Sequence, residues 1–411
     1  MYPIMPVAQD APLETLLLPF ANGSLRWPKG RALFLRARAG WPLREQVRGE
    51  LLCEQSFRPF AQVLERDGWT VVSCQRPNAG PVLALDSHRR GADLAKTASP
   101  GGGPRLALQA DGGAHDRHLN ADATLADEAA LDAGDERFEL VLVLPPRQRE
   151  EARALFARAV ALAAPGGVVV ACQANNEGAR SGEGDLQQLA GLGGKLTKNH
   201  CRVYWTAPLA GGHDAALLAQ WRTLDAPRPI LDGRFLSRPG IFAWDRIDPA
   251  SQLLAGQLPA TLAGRGADLG AGYGYLSAHV LAHCPQVTAL DLYEAEARAL
   301  ALARRNLEPV AGDVALDYRW HDVTAGIDPG YDFIVSNPPF HTPARADRPD
   351  IGQRFIAVAA QALRPGGQLW LVANRHLPYE QVLNDSFGQV RVAAERDGFK
   401  VIAATRSGRG A

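Results

Sequence analysis

The chain repeats one pattern of predicted secondary structure twice, and this repeat constrains the fold more than any other feature. The first copy is FELVLVLPPRQREEARALFARAVALAAPGGVVVACQAN, residues 138–175; the second begins YDFIVSNPPFHTP at residue 331 and ends ALRPGGQLWLVAN at residue 374. Each runs from an apolar strand through two prolines and a helix-periodic segment to Pro-Gly-Gly and a second apolar strand. Continuous apolar strands are typical of a parallel sheet covered by helices on both faces. The sequence therefore predicts a duplicated α/β domain, with Pro-Gly-Gly as the turn that ends each helix.

The length and the turn-rich stretches divide the chain into two domains. A chain of 411 residues is too long for one ordinary core. We place the first domain at residues 1–230 and the second at 231–411, with a proline-rich connector across residues 225–248. A stretch rich in Gly, Ala and Asp, from about 97 to 136, predicts a surface insertion or flexible loop in the first domain. The duplication predicts an internal pseudo-dimer in a monomeric chain.

The composition narrows the class of protein. Lys plus Arg and Asp plus Glu are both 44, so no net positive charge draws nucleic acid from a distance, although the arginine-rich stretch 26–48 could contact phosphates. The five cysteines are scattered without a CxxC pair, which predicts neither a metal site nor a disulfide framework. No apolar run approaches the roughly 18 residues that cross a bilayer. We therefore expect a cytoplasmic protein that binds neither metal nor membrane.

A glycine-rich loop follows the first predicted strand of the second copy. In GADLGAGYGYLS, the residues Asp268, Gly270, Gly272 and Gly274 form the pattern D-x-G-x-G-x-G. Glycine lets the backbone turn tightly and approach a ligand closely, with the amino terminus of a helix beyond it. Alone, such a loop fits a dinucleotide-binding fold or a plain tight turn. The corresponding stretch of the first copy, residues 30–43, has no glycine cluster.

Acidic residues follow the neighbouring predicted strands. The segment VTALDLYE predicts a strand that ends at Asp291, where a carboxylate suits ribose hydroxyls, and YRWHDVTAG puts Asp322 where it could face an adenine amino group. Ligands of open α/β sheets bind at the carboxyl ends of the strands. Asp268 would repel a pyrophosphate but could serve a cationic amino acid. This favours S-adenosylmethionine over NAD.

The motif Asn337-Pro338-Pro339-Phe340 ends the fourth predicted strand. Prolines prevent further strand pairing and hold the backbone extended. The motif is therefore either a strand terminator or a rigid binding site, here called the claw, for a flat polar group. The first copy has Leu-Pro-Pro-Arg at residues 144–147. It keeps the prolines but lacks the amide and the aromatic ring. We therefore expect the first copy to have kept the packing and lost the chemistry.

Taken in this order, the glycine loop, the acidic second strand and N-P-P-F resemble class I S-adenosylmethionine-dependent methyltransferases that modify a nitrogen. More narrowly, the chain from about Pro239 onward resembles bacterial ribosomal RNA small-subunit guanine-N2 methyltransferases, which also carry a degenerate methyltransferase-like domain at the amino terminus. The resemblance implies two tandem Rossmann-like methyltransferase domains, the first degenerate. It implies methylation of the 2-amino group of a guanine in 16S ribosomal RNA, with ribosomal RNA or a ribosomal subunit as the partner.

The resemblance also implies a role for each motif residue. Asn337 and Pro338 would hold the hydrogens of the target amine through their carbonyl oxygens, Pro339 would hold the shape, and Phe340 would stack on the base. Those four residues are the expected catalytic set. The expected S-adenosylmethionine-binding set is Asp268, Gly270, Gly272, Gly274, Asp291, Asp322 and Asn337.

Other functions remain open on the sequence. A large-subunit ribosomal RNA guanine-N2 methyltransferase, a protein glutamine N5-methyltransferase and a DNA adenine methyltransferase would use the same claw, although the glutamine enzymes more often have tyrosine after the prolines. A non-catalytic ribosome-assembly protein that binds RNA is the alternative outside enzymes.

Overall fold

A computed structural model of the chain describes residues 10–72, 136–339 and 349–408. Within these ranges the helices are α1 (Ala11–Ala21), α2 (Trp41–Gln46), α3 (Arg58–Arg66), α4 (Arg149–Leu162), α5 (Ala179–Ala190), α6 (Ala215–Trp221), α7 (Pro249–Ala255), α8 (Tyr275–His283), α9 (Ala297–Leu307), α10 (Pro349–Ala362) and α11 (Glu380–Ser386). The strands are β1 (Ala32–Leu35), β2 (Leu51–Glu54), β3 (Thr70–Val72), β4 (Phe138–Val143), β5 (Ala163–Ala174), β6 (Gly194–Lys198), β7 (Cys201–Trp205), β8 (Arg228–Ile230), β9 (Phe235–Ser237), β10 (Ala263–Leu269), β11 (Gln286–Glu294), β12 (Ala315–Trp320), β13 (Tyr331–Ser336), β14 (Leu363–Asn374), β15 (Gln389–Arg396) and β16 (Phe399–Thr405).

The two large sheets have the same strand order, which confirms the duplication. The first runs β3-β2-β1-β4-β5-β7-β6 and the second β12-β11-β10-β13-β14-β16-β15. In each, the first five strands are parallel and the last two pairings are antiparallel. Separate apolar clusters cover the two faces of each sheet. The fold is thus α/β with two mostly parallel sheets flanked by helices, consistent with tandem methyltransferase-like domains.

The Pro-Gly-Gly stretches are bulges within long strands, and their prediction as turns before a strand is wrong. Phe138 pairs with Ala163 and Leu140 with Val168, so β5 carries three extra residues at this point. Strand β14 has the same register shift against β13. Gly166 supplies the left-handed conformation, with φ of 79°, that lets the strand bend without ending.

The predicted domain boundary at residues 230 and 231 falls in the turn of a small hairpin, in which β8 pairs with β9. The hairpin is separate from both large sheets. The insertion predicted from about 97 to 136 lies outside the described residues except for its last position. Among the helices of the described ranges, none has the length and apolar character needed to cross a membrane.

Strand pairing sets the equivalence of the two domains. Ala32 pairs with Leu140 just as Gly266 pairs with Phe333, each two residues beyond the start of the fourth strand of its sheet. On this register Ala32 is equivalent to Gly266, and residues 56–58 are equivalent to residues 295–297.

Equivalent segments join the domains across a pseudo-two-fold axis. The Arg58 backbone N–H donates to Ala295 O at 2.8 Å, and the Ala297 N–H donates to Ser56 O at 2.9 Å. An antiparallel bridge pairs Phe57 with its own equivalent, Glu296. A contact in which each segment meets its equivalent is the pattern of a two-fold dimer interface, here formed within one chain. This contact has the arrangement expected of the predicted internal pseudo-dimer, and the monomeric state of the chain stays a prediction.

Candidate active site

The motif residues of the second domain meet at the carboxyl edge of its sheet. Asp268 is the second-last residue of β10, Asn337 directly follows β13, and Asp322 lies two residues beyond β12. Parallel neighbouring strands bring these ends to the same edge. The structure therefore brings three of the four predicted strand ends together; Asp291 is the exception.

The orientation of the Asn337 side chain is fixed by two acceptors. Its Nδ2 donates to Asp248 Oδ2 at 2.9 Å and to Ser251 Oγ at 2.8 Å. A carboxylate only accepts hydrogen bonds, so the amide NH₂ must face Asp248. The Asn337 Oδ1 atom is consequently turned the other way, where it is buried without a hydrogen-bond partner among the described residues. Leaving a buried acceptor unpaired costs about 1–3 kcal/mol, which identifies this oxygen as a candidate ligand contact.

Asp248 and Ser251 are functional candidates that the sequence reasoning missed. Asp248 is the N-cap of α7 and accepts from the Ser251 N–H at 2.8 Å. An aspartate followed by proline is a recognisable helix start, so the cap could be predicted from the sequence. The contact of Asp248 with Asn337, 89 residues away, could not be predicted.

The prolines differ in exposure. Pro338 is buried and Pro339 is exposed, and Ser336 just before the claw donates through its hydroxyl to Leu269 O at 2.8 Å. This bond ties the end of β13 to the end of β10. Phe340 lies outside the described residues, and its stacking role stays a prediction.

Asp268 is a fully buried carboxyl group, and its two oxygens differ in their contacts. Its Oδ2 accepts from Ser277 Oγ at 2.7 Å, whereas Oδ1 has no partner within the described part of the chain. Burial raises the pKa of Asp268 to about 7, and the hydrogen bond from Ser277 only partly offsets this. A cationic ligand group beside Oδ1 would favour the ionised form.

The glycine loop has the backbone that the pattern predicts. Gly270, Gly272 and Gly274 have φ of 78°, 57° and 95°, which side chains rarely adopt. A Cβ at Gly272 would meet no atom within 4 Å, so the loop borders open space there. Gly274 is the N-cap of α8. The loop can therefore approach a ligand with its backbone.

Strand β11 does not end at Asp291, and that prediction is wrong. The strand continues to Glu294, because Leu292, Tyr293 and Glu294 all pair with β12. Asp291 accepts instead from Arg265 Nη2 and from the Tyr331 hydroxyl, each at 2.6 Å. Its carboxylate thus compensates a guanidinium within the sheet, away from the strand ends.

Glu294 stands at the strand end where Asp291 was expected. Its Oε2 accepts from the Gly272 N–H at 2.7 Å and its Oε1 from the Glu296 N–H at 2.8 Å. The run DLYE contains two acidic residues, and the second is the one at the edge. Glu294 is therefore the acidic residue that lies beside the glycine loop at the end of β11.

Asp322 lies at the edge but is engaged locally. Its Oδ1 accepts from the Thr324 N–H at 2.9 Å and from Thr324 Oγ1 at 2.7 Å, so it caps the short 3₁₀ turn Val323–Ala325. Its position is as predicted, and its adenine contact stays a prediction.

The first domain carries different side chains at the equivalent positions. Phe34 occupies the position equivalent to Asp268, and Arg36 the position equivalent to Gly270. Gln55 is equivalent to Glu294, and Leu144 is equivalent to Asn337. Arg36 nevertheless keeps a left-handed backbone, with φ of 57°. The backbone of the loop is thus retained at a residue other than glycine.

The family model of the methyltransferase small domain matches residues 232–403. Ribosomal RNA small subunit methyltransferase C of Psychromonas ingrahamii is 29% identical over 66% of this chain and 76% of its own length. That of Alcanivorax borkumensis is 36% identical over 51% and 62%, and that of Erwinia tasmaniensis 31% identical over 64% and 74%.

Among solved structures, the T. thermophilus 16S rRNA N2 G1207 methyltransferase (RsmC), in complex with AdoMet and guanosine, has a similar fold. The TM-score is 0.68 with 22% identity, and the match covers 99% of this chain and 94% of the other. The similarity extends over both domains, and the sequence matches extend over most of the length of the P. ingrahamii and E. tasmaniensis relatives. The chain belongs to the ribosomal RNA small subunit methyltransferase C family.

Proposed function

We propose that this protein transfers a methyl group from S-adenosylmethionine to the 2-amino group of a guanine in 16S ribosomal RNA. The observation that carries the proposal is the buried Oδ1 of Asn337, which has no partner among the described residues and whose direction is fixed by Asp248 and Ser251. Family membership supports ribosomal RNA as the substrate, and such a substrate would be met in the cytoplasm.

The target amine is a weak nucleophile because its lone pair is delocalised into the base. Asn337 Oδ1 accepts one amine hydrogen and the Pro338 carbonyl oxygen accepts the other. Two acceptors on one side bring the nitrogen toward tetrahedral geometry and make its lone pair available. The exposed Pro339 keeps the backbone extended, so the second acceptor stays in place. Taking the base out of its stack costs a few kcal/mol, which stacking on Phe340 would offset.

The polar groups at the edge fit S-adenosylmethionine. When bound, this cofactor supplies the methyl group as an electrophilic carbon on a sulfonium. The Oδ1 of Asp268, to which no described residue donates, suits its ammonium group, and the Glu294 carboxylate suits the ribose hydroxyls. Gly272 borders open space and leaves room for the close approach of the ligand to the backbone, and the left-handed conformations of Gly270 and Gly274 shape the loop on either side of it. The nitrogen becomes acidic as it is alkylated, so no strong base is needed before attack.

The first domain has a different role in this proposal. Phe34 replaces the carboxylate of Asp268, and Leu144 replaces the amide of Asn337, so neither the ammonium nor the amine would find its acceptor there. We assign the first domain to supporting the second and to contacting RNA.

The test is the substitution Asn337→Ala. Methyl transfer to ribosomal RNA should be lost, whereas the Kd for S-adenosylmethionine, measured by calorimetry, should stay within about threefold because the cofactor keeps its other contacts. Asn175→Ala, at an exposed asparagine after β5, is the matched control and should transfer normally. Undiminished turnover of Asn337→Ala would refute the proposed role.

The substrate class is tested with labelled cofactor. Label should enter 30S subunits or naked 16S ribosomal RNA. Label that enters only 50S subunits, or only a release factor, would assign the protein to the large-subunit or glutamine alternative. Failure of the wild-type protein to bind the cofactor at all would favour the alternative function, a non-catalytic ribosome-assembly protein that binds RNA.

A further inference from the structure

A buried ionic cluster joins the first domain to the second. Glu151, in the first turn of α4, has a side chain 5% exposed. Its Oε1 accepts from Arg36 Nη1 of the same domain at 3.0 Å and from Arg298 Nη1 of the other domain at 2.7 Å. Removing water from Glu151 and Arg298, which are almost fully buried, is favourable only when each is closely paired, whereas Arg36 is 34% exposed. The cluster therefore fixes the relative position of the groups that form it.

The cluster continues toward the edge of the second sheet. Arg298 donates through Nε to Glu296 Oε1 at 2.9 Å, and the Glu296 N–H donates to Glu294 Oε1 at 2.8 Å. Burial opposes ionisation here, yet the Arg298 guanidinium and the Ser56 hydroxyl lower the pKa of Glu296 to about 2. A series of contacts thus leads from Glu151 in the first domain through Arg298 and Glu296 to Glu294, the strand-end carboxylate of the second domain.

Two further features restrict the movement of the residues in this series of contacts. A Cβ at Gly240 would lie 2.0 Å from Glu151 Oε2, so the connector packs directly on the carboxylate. The reciprocal backbone bonds of residues 56–58 with residues 295–297 hold the segment that follows Glu294. The reciprocal backbone bonds and the Arg298–Glu151 ion pair therefore both act on residues 294–298, and Gly240 confines the Glu151 side chain.

We propose that Glu151 is a positioning residue of the first domain that sets the cofactor affinity of the second, by holding residues 294–298 so that Glu294 presents its carboxylate at the glycine loop. This inference rests on the proposed function, in which Glu294 receives the ribose hydroxyls. The first domain then contributes to the cofactor site without touching the ligand.

The alternative is that Glu151 serves stability alone. The two differ in what they predict for the folded protein. Loss of a stabilising ion pair lowers the denaturation midpoint and leaves the affinity of the folded population unchanged. Loss of positioning loosens residues 294–298 in the ligand-free protein and weakens cofactor binding well below the melting temperature, because a site carboxylate needs a fixed support.

The experiment compares Glu151→Gln with Glu150→Gln. Glu150 is the adjacent residue, and it forms a surface ion pair with Arg228 in which both side chains are about two-fifths exposed. For Glu151→Gln the Kd for S-adenosylmethionine should rise about tenfold, and backbone amides of residues 294–298 should exchange faster without ligand. The rate of transfer at saturating cofactor should stay within about twofold, since Asn337 is unaffected. Glu150→Gln should match the wild type in all three measurements.

A Kd for Glu151→Gln equal to that of the wild type, at a temperature where the variant is folded, would overturn the inference, as would unchanged amide exchange. Should Glu151→Gln fail to fold, Glu151→Asp keeps the charge but is too short to reach both guanidinium groups, and the same comparison applies to it. If the wild-type protein binds no S-adenosylmethionine, the proposed function fails; if it binds and the variants bind equally, only the positioning role fails.

Discussion

Replacing Asp248 with alanine tests whether the orientation of the Asn337 amide controls catalysis. The change removes the carboxylate that accepts from Asn337 Nδ2 at 2.9 Å and also from the Ser251 N–H at 2.8 Å. Two separable losses should follow. The lost N-cap costs about 1 kcal/mol of stability. The lost hydrogen bond to a charged acceptor reduces the preference for the productive amide orientation by about 1.5–3 kcal/mol.

That loss of preference converts to rate. At 1.36 kcal/mol per factor of ten, methyl transfer should fall by about 10- to 150-fold in Asp248→Ala. Ser251→Ala removes only a neutral acceptor, worth about 0.5–1.5 kcal/mol, and should lose about 2- to 12-fold. In both variants the Kd for S-adenosylmethionine should remain near that of the wild type. The assay is single-turnover transfer of labelled methyl to 16S ribosomal RNA at saturating enzyme.

Asp214 offers the matched control. It is the N-cap of α6 in the first domain and accepts from the Leu217 N–H at 2.9 Å. Asp214→Ala should lose a similar cap energy, seen in urea denaturation, with unchanged transfer. The reasoning is refuted if Asp248→Ala shows the stability loss of a missing cap and still turns over at more than half the wild-type rate.

Two further predictions concern the carboxyl groups. Burial raises the pKa of Asp268 from its ordinary 3.8 to about 7, so between these pH values the native protein holds a proton that the unfolded chain has released. The free energy of unfolding should therefore fall as the pH rises from about 4 to about 7. Asp268→Asn should flatten this part of a profile of urea midpoint against pH. A profile that rises through this window in the wild type would contradict the assignment. Glu294→Gln should raise the Kd for S-adenosylmethionine about tenfold, whereas Asp291→Asn should cost about 2 kcal/mol of stability and leave that Kd unchanged, because Asp291 compensates Arg265 within the sheet. The reverse pattern in calorimetry and denaturation would restore Asp291 as the ligand contact.

The sequence predicted the architecture well because the repeat is written in two independent periodicities. Apolar strands, double prolines and helix-periodic segments recur in the same order, and both sheets follow it. The carboxyl-edge positions of Asp268, Asn337 and Asp322 were predicted because each residue lies at or just beyond the end of a predicted strand.

The end of β11 could not be predicted in this way. The residues after Asp291 continue the apolar run, and the strand ends only where its pairing with β12 stops, at Glu294 opposite Trp320. Strand ends that depend on the neighbouring strand are tertiary properties. The orientation of Asn337 is likewise tertiary, because Asp248 comes from a helix start far along the chain.

The backbone at Arg36 shows a third limit. Nothing in its sequence context indicates a left-handed residue, since glycine is the usual signal. The neighbouring Ala37 N–H donates to Glu54 O at 2.9 Å, as Ala271 does to Tyr293 O at 3.1 Å in the second domain. The same hydrogen bond is made in both domains, and in the first it accompanies the same turn without the glycine.

The reciprocal bonds between residues 56–58 and 295–297 have a consequence for how the halves behave in dilute solution. Two separate subunits joined by so short a ladder would come apart as their concentration fell. Here a covalent tether gives each segment a local concentration of its mate on the order of millimolar, whatever the amount of protein present. The association of the two domains is therefore independent of expression level. A substitution in either domain affects its contact with the other domain in every molecule.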